Sequence, residues 1–170
     1  MGQGYNLKCS TCDYRISVTE GIGMAYSSNA VFYGRCDDPT QNWSIAFPDG
    51  YCEGGKPLLS KLVKSKKIRN KAFELLASAA VPDEYGHELY ICSKCLLLSN
   101  RFYFRLLHEN GDYEPDYKCP HCKTSLRRVA IKTKTDGTVD IVYTNHRKAE
   151  WKCPDCGGNK LELDGMMLWD

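Results

Sequence analysis

Apolar and polar positions alternate in short runs along most of the chain, the pattern of half-buried strands. In the first 35 residues, "NLKC", "YRISVT" and, past the "GIG" turn, "AVFYGR" read as strands. "NWSIAFP" is a further strand candidate, and "PDGYCEGGKP" reads as loop. From Pro57 to Ala80 the period lengthens from two to about 3.6, which predicts a helix. Pro57 suits a first helical turn. Leu58, Leu59, Leu62 and Val63 make one apolar stripe. Ile68, Ala72, Leu75, Leu76 and Ala79 continue it after a shift, with a bend or break expected near "KSKK". Pro82 is expected to stop the helix. Beyond it, "RFYFRLL" and "SLRRVAIK" read as strands flanking the turn region "HENGDYEPDY". "TKTDGTVDIVY" reads as a hairpin around Asp136-Gly137. The tail "KLELDGMMLWD" alternates and is expected to turn at Gly165. Its last apolar residues, Met166, Met167, Leu168 and Trp169, are expected to pack onto the body; a docking tail for a partner is the sharper alternative.

Cysteine usage changes this picture. Ten cysteines occur in 170 residues, and eight of them form C-x-x-C pairs: Cys9/Cys12, Cys92/Cys95, Cys119/Cys122 and Cys153/Cys156. Zn²⁺ takes four ligands in a tetrahedron, and a two-residue spacer lets one tight turn supply two thiolates. Backbone N–H groups in that turn can orient the sulfurs. Proline costs little at the second position of such a turn, which accounts for Pro120 and Pro154. The position after the second cysteine favours a left-handed residue. It holds Asp13, Leu96, Lys123 and Gly157, so a strained or differently shaped turn is expected at Leu96. Four such pairs predict two Cys₄ sites, each holding one Zn²⁺, with Fe as the alternative metal. Cys36 and Cys52 lack hook spacing and read as free thiols. His121 reads as a solvent-facing spacer.

The repeated phrases "KCPHC" and "KCPDC" each follow an aromatic, Tyr117 or Trp151, and precede a leucine, Leu126 or Leu161. Each copy is expected to complete a different site. The span from Cys95 to Cys119 has room for a β-hairpin, so the second and third hooks are expected to pair. By elimination the first would then join the fourth and close the chain ends on one metal. The crossed pairing, first with third and second with fourth, stays open. From about Tyr90 to Lys134 the chain resembles a zinc ribbon, in which two hooks clamp a small antiparallel sheet. That resemblance implies fold and metal but not function. "CPDCG" also resembles a rubredoxin hook, which would imply iron and electron transfer.

Charge adds only local information. Eight thiolates holding two dications would turn the formal net charge of +2 negative. Two stretches are nonetheless basic. Strand alternation places Arg101, Tyr103 and Arg105 on one face of "RFYFR", opposite Phe102 and Phe104. It likewise places Arg128, Lys132 and Lys134 opposite Val129 and Ile131. Cations around an aromatic ring suit a nucleic-acid strand, with charges on phosphates and the ring on a base. "KPLLSKLVKSKKIRNK" carries seven cations and no acid. A soluble surface, or an acidic protein partner, would read the same way.

Catalytic signatures are sparse. "GYCEGGKP" has the glycine and lysine spacing of a P-loop but Pro57 where Ser or Thr should bind Mg²⁺. The zinc deaminase pattern and H-E-x-x-H are absent, and all-cysteine sites lack the open position catalytic zinc needs. Asp140 with Glu150 and Lys152 resembles the acid and E-x-K core of metal-dependent nucleases, on three common residues. The N-terminus "MGQGYNLKCS" has no apolar signal core, and Asn6 breaks the myristoylation pattern at Gly2. A reducing cytoplasmic setting without a membrane partner is therefore expected, where disulfides are rare.

The sequence thus predicts an α+β protein: small antiparallel sheets organised by two Cys₄ zinc sites, zinc-ribbon-like, plus one long basic helix. Four segments are expected: strand-rich 1–55 with the first hook, a basic helix over 56–82, a zinc ribbon over 83–135, and a C-terminal hairpin and hook over 136–170. The expected role is non-enzymatic contact with nucleic acid or a nucleic-acid-handling complex. A protein-interaction scaffold with structural zinc is the alternative, and an iron electron carrier the third reading.

Overall fold

A computed structural model describes residues 2–23, 26–35 and 56–169. The strand candidate "NWSIAFP", most of the loop "PDGYCEGGKP", Cys36 and Cys52 lie outside these residues. Seven strands make one sheet: β1 Gly2–Cys9, β2 Arg15–Glu20, β3 Val81–Cys92, β4 Leu98–Leu107, β5 Leu126–Thr133, β6 Thr138–Tyr143 and β7 Leu161–Trp169. Their order is β2-β1-β7-β6-β5-β3-β4. The pairings β1–β2, β1–β7, β7–β6, β6–β5 and β5–β3 are antiparallel. The helices are α1 Leu59–Leu62 and α2 Lys66–Ala77, with a single π turn at Asn29–Tyr33.

The α+β expectation with one long basic helix is therefore overturned. The protein is mostly β, and the helical stretch splits into four and twelve residues. Val63 is extended and 1% exposed, so it leaves the helix to enter the core. Ser65 restarts the helix as an N-cap, its side chain accepting from the Ile68 N–H. Arg69 holds the break open, its Nη1 donating to the Val63 and Lys64 carbonyls at 2.7 and 3.1 Å. Cations without acids between them also supply none of the i,i+4 attraction that would bridge the break. Nor does Pro82 end the helix, since it lies within β3. Ala79 ends it instead, at φ 70°, with Ala80 N–H on the Leu75 carbonyl and Ala79 N–H on that of Leu76. That is a Schellman closure with alanine where glycine is usual.

The chain divides into two compact units. One comprises residues 1–21, 86–101 and 116–169, and the other residues 22–85 and 102–115. In the first, Leu7, Val18, Leu89, Ile91, Val129 and Leu161 build the core. Its sheet curls until the edges meet. Gly21 and His87 exchange backbone hydrogen bonds of 2.9 and 2.7 Å, and Asn100 Nδ2 donates to the Thr19 carbonyl at 2.6 Å. The result is a nearly closed barrel, which leaves few unpaired edge groups. Gly86 permits the closure, because a Cβ there would sit 3.0 Å from the Gly21 carbonyl oxygen.

The second unit is held by aromatic packing. Phe32 meets Tyr85 edge-on at 5.2 Å and Phe104 at 5.9 Å, and Phe104 meets Tyr113 at 6.1 Å. Such pairs contribute beyond the area they bury.

The tail departs from expectation. No turn forms at Gly165, and β7 runs on along β1 with a bulge at Asp164. The bulged carboxylate pairs with Lys8 and Arg15. Met166, Met167 and Leu168 are 61, 51 and 65% exposed, so they do not pack onto the body. Alternation puts Met166 and Leu168 on one face and Met167 on the other, and beyond Gly165 neither face is covered among the described residues. The hairpin at Asp136-Gly137 forms as expected, with Gly137 at φ 79° and the Thr138 N–H on Asp136 Oδ1 at 2.9 Å.

Ala79→Gly should raise the denaturation midpoint, corresponding to about 0.5–1 kcal/mol, because glycine removes the left-handed penalty. An unchanged or lower midpoint in urea would show that Ala79 carries no such strain.

Candidate metal centres

Both tetrads lie in the first unit, and they pair in the nested way. Cys9, Cys12, Cys153 and Cys156 form one cluster, and Cys92, Cys95, Cys119 and Cys122 the other. In each, all four sulfurs lie within 4.8 Å of one another. Cys9 Sγ is 3.7 Å from Cys156 Sγ, and Cys12 Sγ is 3.5 Å from Cys153 Sγ. In the second cluster the Cys92–Cys122 and Cys95–Cys119 separations are 3.4 and 4.0 Å. Sulfurs bonded at about 2.3 Å to a tetrahedral ion stand about 3.8 Å apart, so the spacing fits a four-thiolate metal site and is far too long for a disulfide.

The four hooks share one backbone device. The first cysteine's N–H donates to the carbonyl five residues on: Cys9 to Tyr14, Cys92 to Leu97, Cys119 to Thr124 and Cys153 to Gly158, at 2.7–3.1 Å. In three hooks the residue after the second cysteine returns its N–H to the first cysteine's carbonyl and is left-handed. These are Leu96, Lys123 and Gly157, at φ 58, 62 and 74°. Of the two expectations at Leu96, the hook is strained and not differently shaped: leucine takes the left-handed conformation that Lys123 and Gly157 share.

Strand geometry explains the pairing. Cys9 ends β1 and lies opposite Leu161, the first residue of β7. The fourth hook runs directly into β7, so pairing β1 with β7 delivers Cys153 and Cys156 to the first hook. Likewise Cys92 ends β3 opposite Leu126, which opens β5 just after the third hook. In the ribbon region the hairpin partner of β4 is β3, and β5 pairs with β3 as well. Strand β3 went unread because Pro82, Asp83, Glu84 and Gly86 interrupt its apolar alternation. The aromatics of the repeated phrases back the clusters: Tyr117 is 7% and Trp151 5% exposed. Tyr117 meets Tyr90 edge-on at 5.5 Å, and Trp151 lies 6.4 Å from Tyr14.

Polar neighbours split the thiols of each tetrad. Burial pushes the Cys9 thiol up, but the Thr11 hydroxyl and N–H outweigh it and bring it to about 6. Cys12 is pushed up to about 12: the Tyr14 N–H favours its thiolate, but burial and the Cys156 and Cys153 sulfurs prevail. In the second tetrad the Thr124 hydroxyl and N–H hold Cys122 at about 6. Its hydrogen bond with Cys122 first, and burial next, push Cys95 up to about 12. Four negative charges cannot crowd into this space alone, and a dication lets all four ionise. Thr11 is central to its cluster, with Oγ1 3.2 Å from Cys9 Sγ and 3.1 Å from Cys156 Sγ. Gly158 is required beside it, because a Cβ there would meet Thr11 Oγ1 and come within 3.2 Å of Cys156 Sγ. Thr11 and Thr124 were not singled out from sequence; hydroxyls two residues after a cysteine were the available signal.

The predicted basic face is dispersed. Tyr103 is 2% exposed, so its ring faces the interior and cannot stack on a base. Phe102 and Phe104 are buried too, because this stretch of β4 is covered on both sides and alternation assumes one wet face. Arg105 donates to Asp83 through Nε at 2.9 Å. Tyr103 and Arg105 belong to the second unit and the other four to the first. Arg101 is half-buried and donates to the Asn100 carbonyl, and Arg128 has a buried Nη1. Lys132 is exposed and lies directly across from Asp140, while Lys134 pairs with Asp140 at 3.0 Å. His121 is exposed and outside both tetrads.

Asp140, Glu150 and Lys152 do converge, on a cavity of about 750 Å³ in the first unit. Both Asp140 oxygens are occupied, by Lys148 at 2.7 Å and Lys134 at 3.0 Å. Hydrogen bonds from those ammonium groups hold its carboxyl below the usual range. Among the described residues, no helix is long and apolar enough to cross a membrane. No protein family, curated protein or solved structure matches the chain.

Gly158→Ala should empty the Cys9/Cys12/Cys153/Cys156 cluster and leave the other loaded, so elemental analysis should fall from two metals per chain to one. Cys12→Ser should do the same. Full metal content in both variants would contradict this geometry.

Proposed function

We propose that the protein is a non-catalytic module in which two structural Zn²⁺ ions hold a nearly closed sheet that contacts nucleic acid. The observation that carries the structural part is the donor set. Each tetrad is all cysteine, closed at four ligands, and backed by buried aromatics, which leaves no open coordination position for substrate. The metal substitutes for core that the small first unit cannot build, so its binding energy is folding energy. Zinc is favoured over iron because the glycine of a rubredoxin hook follows only the last hook, at Gly157. A non-catalytic role is supported at Asp140, whose two oxygens are already paired with lysines and so offer Mg²⁺ no free carboxylate. Nucleic-acid contact is supported by cations that remain exposed on the first unit, including Lys132 on β5.

A second reading rests on the exposed Met166, Met167 and Leu168 of β7, which suit a protein partner of a scaffold. A pull-down that depends on these three side chains would favour it.

Fluorescence anisotropy with a labelled single-stranded oligonucleotide should show affinity that falls steeply between 50 and 200 mM salt, on the order of tenfold or more. Binding should vanish when both metals are stripped by chelator and return with Zn²⁺. Salt-insensitive or absent binding would refute the nucleic-acid reading. Oligonucleotide incubated with the protein and Mg²⁺ should stay intact; cleavage lost in Glu150→Ala would refute the non-catalytic reading.

A further inference from the structure

The cavity beside β6 is built by the metal-bearing hook itself. Its rim includes Trp151 and Lys152, which lead into Cys153, and Asn159 and Lys160, which leave the hook after Cys156. Lys134, Asp140 and Lys148 form the rim on the other side. Four lysines thus line one cavity together with the acids Asp136, Asp140 and Glu150.

Not all of these charges are free. Asp136 is engaged by the Thr138 N–H and hydroxyl at 2.9 and 2.6 Å. Asp140 spends its two oxygens on Lys134 and Lys148. An ammonium has three donors, so each of those lysines retains others, and Asp140 holds both in place. Lys152, Lys160, Asn159 and Glu150 are exposed, and their side chains have no hydrogen-bond or ion-pair partner among the described residues. Beneath them the lining is apolar, with Val139, Ile141, Ala149, Trp151 and Leu161 all buried.

We infer that this cavity binds a phosphate-bearing nucleotide unit, with phosphate on Lys152 and Lys160 and the base over the apolar floor. The chemistry selects that class. Ordered and free ammonium groups suit a phosphate, which accepts several hydrogen bonds at once. Glu150 calls for a donor and Asn159 offers both donor and acceptor, which the amino and carbonyl edges of an unpaired base can meet. A simple carboxylate ligand would offer Glu150 no hydrogen-bond donor, whereas the amino edge of a base supplies one. About 750 Å³ is also within the range of small-ligand pockets, enough for a nucleotide and too little for a duplex. Lys132 lies across from Asp140 on the neighbouring strand, so a strand leaving the cavity would meet this cation of β5. This inference rests on the nucleic-acid reading above and gives that contact its place.

The test uses the zinc-loaded full chain and a fluorescein-labelled single-stranded oligonucleotide. The double variant Lys152→Ala/Lys160→Ala should bind at least tenfold more weakly, keep two metals per chain, and show a log–log salt slope shallower by about 1.4, the share of two phosphate contacts. A control, Lys66→Ala/Lys67→Ala on the basic helix, should change affinity less than twofold. Competition by AMP would assign the site to a free nucleotide, and competition by unlabelled strand alone to a nucleic-acid segment. Parental binding that survives in the Lys152/Lys160 variant, or that the helix variant weakens more, overturns the inference while leaving the nucleic-acid reading intact. No binding by the parent overturns both.

Discussion

Four thiolates brought within 4.8 Å of one another repel unless a cation relieves them, and that constraint organises the first unit. Residues more than a hundred positions apart, Cys9 and Cys153, must meet within a few ångströms. The chain achieves this by making β1 and β7 neighbours and starting β7 directly after the hook. The same solution appears at β3 and β5. Each tetrad therefore sits where an antiparallel pair begins, and the metal sites and the sheet register specify one another. A one-residue slip would turn the cysteines to the opposite face.

That coupling gives the repeated phrase its meaning. In each copy the aromatic before the hook and the leucine after it are buried, and the lysine beside the aromatic is exposed. Aromatic and leucine brace the turn from inside while the cysteines face the other hook of their tetrad. The fourth hook has a further consequence, since its two arms wall the cavity beside β6. The polar lining of that cavity thus depends on the same turn that supplies two cysteines of a tetrad.

The alternation of "YRISVT", "SLRRVAIK" and "TVDIVY" marked β2, β5 and β6, and cysteine spacing marked every ligand. Where one face stays wet, pattern and structure agree. Where burial is two-sided the pattern misleads, as at Tyr103, whose neighbours Phe102 and Phe104 are buried with it. The helical period misleads for a related reason: Val63 is apolar and on the stripe, yet its burial is reached by leaving the helix. The pattern hides β3 because proline, glycine and acids fall in its first half, ahead of Leu89–Cys92, where it pairs with β5.

By itself the sequence determined which residues can hold metal, because ligand chemistry and the C-x-x-C turn are local properties of a few consecutive residues. It also determined most strands, because alternation is local too. Only the tertiary structure decided that the hooks nest rather than cross, that Tyr103 is buried, and that Asp140 is clamped by Lys134 and Lys148 beside Lys152 and Lys160. Those facts depend on which strands become neighbours, and strand neighbourhood is set by the packing of the whole sheet, not by any one segment's pattern.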